Sequence, residues 1–369
     1  MGHSSDVLIT LNAASKLPRA TICRLALEID GWERGLGAAA AISLSSDLGV
    51  PAAQLELALE CLSTARRVAA RQRRQAEALG ATIVTRVDAG YPAMLGDLPL
   101  PPPVLYVRGA LPPLPGIAIV GSRRVDAYGA EAAGFFARDL AARGLAVVSG
   151  FAVGADAAAH RGALAGGGRT VAVLGCGLGI DYPAGHRPLG EAIAASGALV
   201  SEFPCGVRPQ HWHFPVRNRI IAALAHGTLV VQATPRSGSL VSARLAMELG
   251  RDVYALPGRI FDERSLGPNG LIRDGAMLVQ HPQDIIDALP EAARRTVSGA
   301  SAPAADDGSR LAGLPGEILG CLVPGQPAPP EELAASTGRP VEVIQGALIE
   351  LELAGFVRRL PGGVYARRA

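Results

Sequence analysis

Short apolar runs alternate with amphipathic segments through the middle of the chain, from about residue 115 to residue 290. The apolar runs predict buried strands at 117–120, 145–148, 170–174, 198–201, 228–232 and 252–256. Apolar residues at helical spacing predict helices at 128–143, 155–166, 186–196, 217–225, 240–249 and 282–289. Strands separated by helices form βαβ units, so this region predicts an α/β, Rossmann-like domain, a mostly parallel sheet with helices on both faces.

Different patterns flank this central region. Residues 1–77 carry apolar residues at helical spacing and predict a helical module. Two short predicted strands around a Pro-rich turn extend the central domain to 78–290. Small, polar and aperiodic residues predict a linker at 291–308. Three predicted helices and a hairpin follow at 309–369, which is the winged-helix pattern, and the acidic third helix leaves DNA and protein equally open as its partner.

The composition excludes several classes of protein. Hydrophobic residues make up 49% and charged residues 18% of the 369 residues, which is typical of globular proteins. No apolar run reaches the length of a membrane span, and the first residues lack a signal-peptide pattern. Five cysteines without a C-x-x-C pair favour a reducing compartment over disulfides or zinc. We therefore expect a cytoplasmic protein without a membrane partner, and the net charge of +2 indicates no particular partner.

Glycine, serine and arginine follow one predicted strand after another. Examples are Gly121-Ser122-Arg123, Ser149-Gly150 and Ser237-Gly238-Ser239. The carboxyl ends of parallel strands meet at one edge of a sheet, where ligands bind. Glycine lets a ligand approach the backbone, successive N–H groups bind anions, and arginine suits phosphate. The sequence therefore predicts a phosphate-lined groove along this edge.

An aromatic residue stands among the basic residues of one predicted loop. Phe214 precedes Arg217, Asn218 and Arg219. Single-stranded nucleic acid is bound by this combination, in which a ring stacks on a base and cations hold the backbone. A groove drawn out over several strands suits a polyanion at least as well as a single phosphate.

The candidates for catalysis and metal binding are weak. Ile180 replaces the last glycine of a dinucleotide fingerprint, and the chain has neither G-K-[ST] nor G-x-S-x-G. His211 and His213 lack a partner at metal-ligand spacing, and His160 suits packing better than catalysis. We expect no catalytic residue, no metal and no cofactor.

The order of these loops resembles the DNA-processing protein A family, also called DprA or Smf. The matching stretches are IVGSRRVDAYG, VVSGFAVGADAAAHRGAL, TVAVLGCGLGIDYP, SEFPCG, FPVRNRIIAAL, RSGSLVSARLAMELGRDVYALPG and GPNGLIRDGAMLV. The N-terminal segment is similar to the family's SAM-like module and the C-terminus to its winged-helix tail. The chain departs from the family at Ala155, where Ile is usual, near Gly179, where an Asp is missing, and at Gln232, where Glu is common.

The resemblance implies a function and a set of contacts. It implies a cytoplasmic, dimeric, ATP-independent protein that binds single-stranded DNA. Such a protein protects incoming DNA in natural transformation and loads the RecA recombinase. By motif, the family's DNA contacts carry over to Gly121, Ser122, Arg123, Ser149, Gly150, Phe214, Arg217, Asn218, Arg219, Ser237, Gly238 and Ser239.

Two alternatives stay open. Nucleoside-monophosphate phosphoribohydrolases share the Ser-Arg loop, but Ser242 stands where their catalytic glutamate is expected. A winged-helix regulator that senses a nucleotide is the second alternative, and it predicts a preference for duplex DNA.

Overall fold

The structure is a computed structural model that describes residues 2–28, 49–113, 115–297, 313–323, 326–354 and 356–367. The chain begins with a helical module. Its helices are α1 (Gly2–Ala13), α2 (Arg19–Leu27), α3 (Ala52–Leu62) and α4 (Ala65–Glu77). Residues 29–48 of the predicted module lie outside the described residues.

A nine-stranded sheet forms the centre of the molecule. Its strands are β1 (Ala81–Thr85), β2 (Val104–Gly109), β3 (Gly116–Val120), β4 (Ala146–Ser149), β5 (Thr170–Val173), β6 (Ala198–Ser201), β7 (Gly227–Val230), β8 (Asp252–Ala255) and β9 (Met277–Leu278). They lie in the order β1-β2-β6-β5-β4-β3-β7-β8-β9. All neighbouring pairs from β6 to β9 are parallel, whereas β2 pairs antiparallel with both β1 and β6. The predicted mostly parallel, Rossmann-like sheet is confirmed.

Helices cover both faces of this sheet. They are α5 (Ala127–Ala142), α6 (Ala155–Ala165), α7 (Arg187–Ser196), α8 (His213–Ala223), α9 (Ser239–Glu248), α10 (Leu266–Arg273), α11 (Pro282–Ala288) and α12 (Glu291–Arg294). Alternate residues of β3 face opposite layers. Ile117 belongs to the cluster that contains Phe136 of α5, and Ala118 to the cluster that contains Ile220 of α8. A strand buried on both faces explains the continuous apolar run.

The structure differs from the sequence prediction at three places in this domain. Helix α8 begins at His213, four residues before its predicted start at residue 217, so Phe214 lies on its first turn and not in a loop. Pro215 fits there because the N–H groups of a first helical turn have no intrahelical acceptor. Helix α10 and strand β9 were not predicted, because α10 contains Gly267 and Pro268 and β9 is only two residues long.

The predicted linker begins too early. Helix α12 packs on the sheet domain through the buried Ala293, and Val297 contacts the same apolar cluster. Residues 291–297 therefore extend the domain, and residues 298–308 lie outside the described residues.

The C-terminal segment forms a winged helix around a small core of its own. Its elements are α13 (Leu314–Cys321), α14 (Pro330–Thr337), α15 (Val341–Leu353), β10 (Val357–Arg359) and β11 (Tyr365–Arg367). Ile318, Ile344, Leu348 and Val357 are fully buried in this core. In the described ranges, no helix has the length and apolar character that crossing a membrane requires.

A buried carboxylate joins the helical module to the sheet domain. Glu202, which follows β6, is fully buried between Arg19 of α2, at 3.1 Å, and Arg219 of α8, at 2.6 Å. Asn12 of α1 donates to the Glu202 carbonyl at 3.1 Å and accepts from Arg19 at 2.8 Å. The two units are thus held together by charged hydrogen bonds in a dry environment.

Candidate nucleic-acid interface

A cavity of about 1280 Å³ opens at the carboxyl ends of the strands. The chain leaves β3 for β4 on one side and returns to β7 on the other, so β3 and β7 form the point at which open α/β sheets bind ligands. The volume exceeds the roughly 300–1,000 Å³ that is common for sites of single small ligands. Five arginines and three carboxylates are among the lining residues: Arg123, Arg124, Arg217, Arg259, Arg264, Asp156, Asp262 and Glu263.

The loop after β3 approaches its neighbours closely. A Cβ at Gly121 would stand 2.7 Å from the Ala155 Cβ, so this position needs glycine. The Ser122 N–H donates to the Gln232 carbonyl at 2.6 Å, and the Arg124 N–H donates to the Ser122 Oγ at 3.0 Å. The amides of Ser122 and Arg124 are therefore already bonded within the protein. The exposed side chains of Arg123 and Arg124 remain as the cationic groups of this loop.

Arg123 and Phe214 form a cation–π pair at the cavity wall. The guanidinium carbon of Arg123 lies 5.1 Å from the centre of the Phe214 ring. Tyr182 supports this ring, with 5.5 Å between the ring centroids, and a Cβ at Gly175 would stand 2.6 Å from it. Arg123, Tyr182 and Phe214 also border a smaller adjoining cavity of about 120 Å³. The Phe214 ring is thus held in place by Tyr182 and Gly175, and the long, flexible side chain of Arg123 covers it from another side.

Arg217 forms the floor of the cavity. Its Nη1 donates to the Gly150 carbonyl at 2.6 Å and to the Val173 carbonyl, and its charge faces the buried Asp156. Burial lowers the pKa of Arg217 to about 10 and raises the pKa of Asp156. A Cβ at Gly150 would stand 2.7 Å from both Arg217 Nη2 and Asp156 Oδ2. The Arg217 guanidinium is therefore charged at neutral pH but largely committed to the protein.

Two helices begin at the cavity. Phe214 and Pro215 of the first turn of α8 line it, as do Gly238 and Ser239 at the start of α9. Asn218 links the two helices, because its Nδ2 donates to the Gly238 carbonyl at 3.2 Å. Helix N-termini carry partial positive charge and bind anions.

The structure brings most of the predicted contact residues together. Those that line the cavity or its smaller neighbour are Gly121, Ser122, Arg123, Gly150, Phe214, Arg217, Asn218, Ser237, Gly238 and Ser239. Ser149 is fully buried and donates to the Ile119 carbonyl at 2.6 Å. Arg219 pairs with Glu202 on another side of α8. Because helical residues advance by about 100° each, Arg219 points about 200° away from Arg217. The cavity thus omits Ser149 and Arg219.

Other lining residues were missed by the sequence analysis. The loop between β8 and α10 contributes Arg259, Phe261 and Arg264. The Leu256-Pro257-Gly258 turn marked the end of a strand at the same edge. Phe261, which has the charged residues Arg259, Asp262, Glu263 and Arg264 around it, was the signal that could have indicated a contact.

The histidines have structural surroundings. His160 is fully buried with its Nδ1 2.7 Å from the Thr170 Oγ1, and burial lowers its pKa to about 3. The Nδ1 of His213 lies 3.1 Å from the Gly175 carbonyl. Ser242, at the position of the glutamate that the phosphoribohydrolase alternative needs, is buried beside the cavity. Within the described part of the chain, no three His, Cys, Asp or Glu residues are grouped to hold a metal ion.

Comparison with known proteins identifies the family. The family model for DNA recombination-mediator protein A matches residues 82–290, and that for the DprA winged helix domain matches residues 301–363. The chain belongs to the DprA family. It is 41% identical to Protein Smf of Escherichia coli over 283 residues, which cover 76% of each chain.

Solved structures of DprA proteins agree with this assignment. DprA of Streptococcus pneumoniae matches with a TM-score of 0.66 and 31% identity, over 76% of this chain and 96% of that one. DNA processing protein A of Helicobacter pylori, which binds single-stranded DNA, matches with a TM-score of 0.50 and 32% identity, over 56% of this chain and 94% of that one. The resemblance inferred from the loops is confirmed, and with it a role in DNA processing of the recombination-mediator class.

Proposed function

We propose that the protein binds single-stranded DNA in the cavity at the carboxyl edge of the sheet. The observation that carries the proposal is the exposed Arg123 beside the Phe214 ring at the wall of this cavity. A cation next to an aromatic face is what a flexible strand needs, because phosphates pair with the cation and bases stack on the ring. The H. pylori relative, which binds single-stranded DNA, supports the same ligand.

The charges in the cavity favour a polyanion that is bound by the exposed arginines of the cavity wall. Arg217 is compensated by Asp156, and Arg264 pairs with Asp126 at 3.3 Å and Asp262 at 3.0 Å. Arg123, Arg124 and Arg259 are the exposed lining arginines for which the described residues provide no ion pair. We therefore expect about three neutralised phosphates and a log–log salt slope near −2, at about −0.7 per phosphate.

The test is binding of oligothymidylates of increasing length, measured by fluorescence anisotropy against a duplex of the same length and against AMP. We expect affinity to rise from mononucleotide to dodecamer and single strands to bind more tightly than duplex. Preference for duplex would favour the nucleotide-sensing regulator, and tight AMP binding with release of free base would favour the phosphoribohydrolase. Either result would overturn the proposal.

The family resemblance supports a more specific role in natural transformation. We propose that the protein acts in the cytoplasm, shields incoming single strands from nucleases and loads RecA onto them. The test is RecA-dependent ATP hydrolysis on DNA that is already coated with single-strand-binding protein, together with nuclease digestion of the bound strand. We expect faster onset of hydrolysis and slower digestion, and both effects should weaken in Arg123→Ala.

Homodimer formation is part of the same proposal. It is supported by β9, one of the two edge strands of the sheet, in which Met277 and Leu278 are each 43% exposed. An apolar edge strand is a template for pairing with another chain. Sedimentation at increasing concentration should give twice the monomer mass, and Leu278→Lys should shift the protein towards monomer. A constant monomer mass for the unaltered protein would contradict the dimer.

A further inference from the structure

Phe261 is an aromatic ring presented almost entirely to solvent. It is 94% exposed, in the loop that joins β8 to α10, and it lines the cavity. A large apolar side chain in such a position has little to gain from the folded state, because hydrophobic stabilisation comes from burial. The position therefore suggests a role in contact with another molecule.

The loop that carries Phe261 is held at both ends. The Asn269 side chain accepts from the Gly258 N–H at 3.1 Å and donates to the Gly258 carbonyl at 3.0 Å. At the other end, the Ala233 N–H donates to the Arg264 carbonyl at 2.7 Å. The Arg264 side chain bonds Asp262 at 3.0 Å. An anchored loop presents the ring at small cost in conformational entropy on binding.

The surroundings of Phe261 match those of a stacking platform for bases. Arg259 is exposed on the same loop and lines the same cavity, so a cation again accompanies an aromatic ring. Glu263 is also exposed there and opposes the charge of Arg259. The loop thus contributes an aromatic surface with little net charge, which suits a base better than a phosphate.

Phe261 and Phe214 border one cavity from different strands of the sheet. Arg123, which covers Phe214, follows β3, whereas Phe261 follows β8, two strands further along in the order β3-β7-β8. Neighbouring strands are about 4.8 Å apart, so these strand ends are about 10 Å apart. A single nucleotide bound at Phe214 is therefore not expected to reach Phe261, whereas a longer strand can.

We propose that Phe261 is a second stacking platform, which binds a base of the same single strand beyond the nucleotide held near Phe214. The inference rests on the proposed single-strand binding and adds the direction in which the strand runs, from the end of β3 towards the end of β8. It makes the contribution of Phe261 dependent on oligonucleotide length.

The test compares Phe261→Ala with Ile260→Ala in the full chain. Ile260 is the matched control, since it is 70% exposed on the same loop but does not line the cavity. We expect Phe261→Ala to weaken binding of oligothymidylate dodecamer by about 5- to 150-fold, which is the range for loss of one base–aromatic stack. Binding of thymidine monophosphate and the salt slope should stay unchanged, and Ile260→Ala should bind both ligands normally.

A second readout uses conservative and reporter variants. Phe261→Trp should retain dodecamer affinity and lose tryptophan fluorescence on binding, relative to the unaltered protein, whereas Phe261→Leu should bind as weakly as Phe261→Ala. Equal loss for thymidine monophosphate and the dodecamer, unchanged affinity for the dodecamer, or a change only in oligomeric mass would overturn the inference and leave single-strand binding intact. If the unaltered protein binds no oligonucleotide, the proposed function itself fails.

Discussion

Replacing Arg123 with alanine removes a charge that has no ion-pair partner among the described residues. The guanidinium is exposed, lies over the Phe214 ring and lines both cavities. Its removal should leave the fold unchanged, because the Gly121 and Ser122 backbone contacts that hold the loop do not involve the Arg123 side chain. The variant therefore isolates one cationic contact with the strand.

The expected loss follows from the chemistry of that contact. A hydrogen bond that involves a charged group is worth about 1.5–3 kcal/mol, so affinity should fall by about 10- to 150-fold. One fewer neutralised phosphate should also reduce the slope of log affinity against log salt by about 0.7, from about −2 to about −1.3. The fall in affinity should consequently be smaller at high salt than at low salt.

The assay is anisotropy of a labelled oligothymidylate over a series of salt concentrations. Arg123→Lys should keep the slope and lose part of the affinity, because lysine retains the charge but not the planar fork. Arg169→Ala is the charge-matched control. Arg169 is exposed and directly precedes β5, so it lies at the amino ends of the strands, opposite the cavity. An unchanged slope in Arg123→Ala, or an equal change in Arg169→Ala, would refute the placement of the strand at Arg123.

Three other substitutions test buried polar contacts of the fold, one at the cavity floor and two away from the cavity. Gly150→Ala should lower the thermal midpoint and weaken DNA binding, because its Cβ would stand 2.7 Å from Arg217 Nη2, and overpacking costs about 1–3 kcal/mol. Arg219→Ala should lower the free energy of unfolding in urea by about 3 kcal/mol, since it leaves Glu202 buried with one partner fewer, while the salt slope of binding by the folded variant stays unchanged. His160→Gln should remove a pH dependence of the unfolding free energy. The folded pKa of His160 is about 3, below the ordinary 6.5, so the unfolded chain takes up the proton first. The contribution of the neutral His160 to the unfolding free energy is complete above pH 6.5 and is lost as the pH falls towards 3. Between pH 7 and pH 5, the unaltered protein should lose about 2 kcal/mol of unfolding free energy, and the variant should not.

The sheet was predictable because its strands are buried on both faces. Ile117 and Ala118 face opposite helical layers, so the whole run from 117 to 120 must be apolar, and it stands out in the sequence. The residues at the carboxyl edge were predictable once the strands were known, because the residues that follow parallel strands lie at the same edge of the sheet. Strand β9 carried no such signal, because both of its residues are partly exposed and it contributes only two positions to the pattern.

The roles of individual arginines could not be predicted from their neighbours in sequence. Arg217 and Arg219 are two residues apart, yet one bonds carbonyls at the cavity floor and the other pairs with Glu202. The difference arises because two residues two positions apart on a helix point about 200° apart, and because the Glu202 carboxylate after β6 lies on the side of Arg219. Phe261 was missed because a single aromatic residue in a polar loop has no period.

The pairing of Arg19 and Arg219 with one buried Glu202 has a consequence for how this protein can evolve. Glu202 of the sheet domain is neutralised partly by Arg19 of the N-terminal helical module and partly by Arg219 of its own domain. Neither unit can therefore be exchanged independently of the other. A descendant that lost the module would expose the Glu202 backbone and leave its carboxylate with Arg219 alone, and one that acquired a different module would have to supply a new cation at that position. The boundary between the two units is thus defined by the ion pairs of Glu202 as well as by a position in the sequence. Gene fusions that are cut at that position but do not preserve these ion pairs should yield poorly folded proteins.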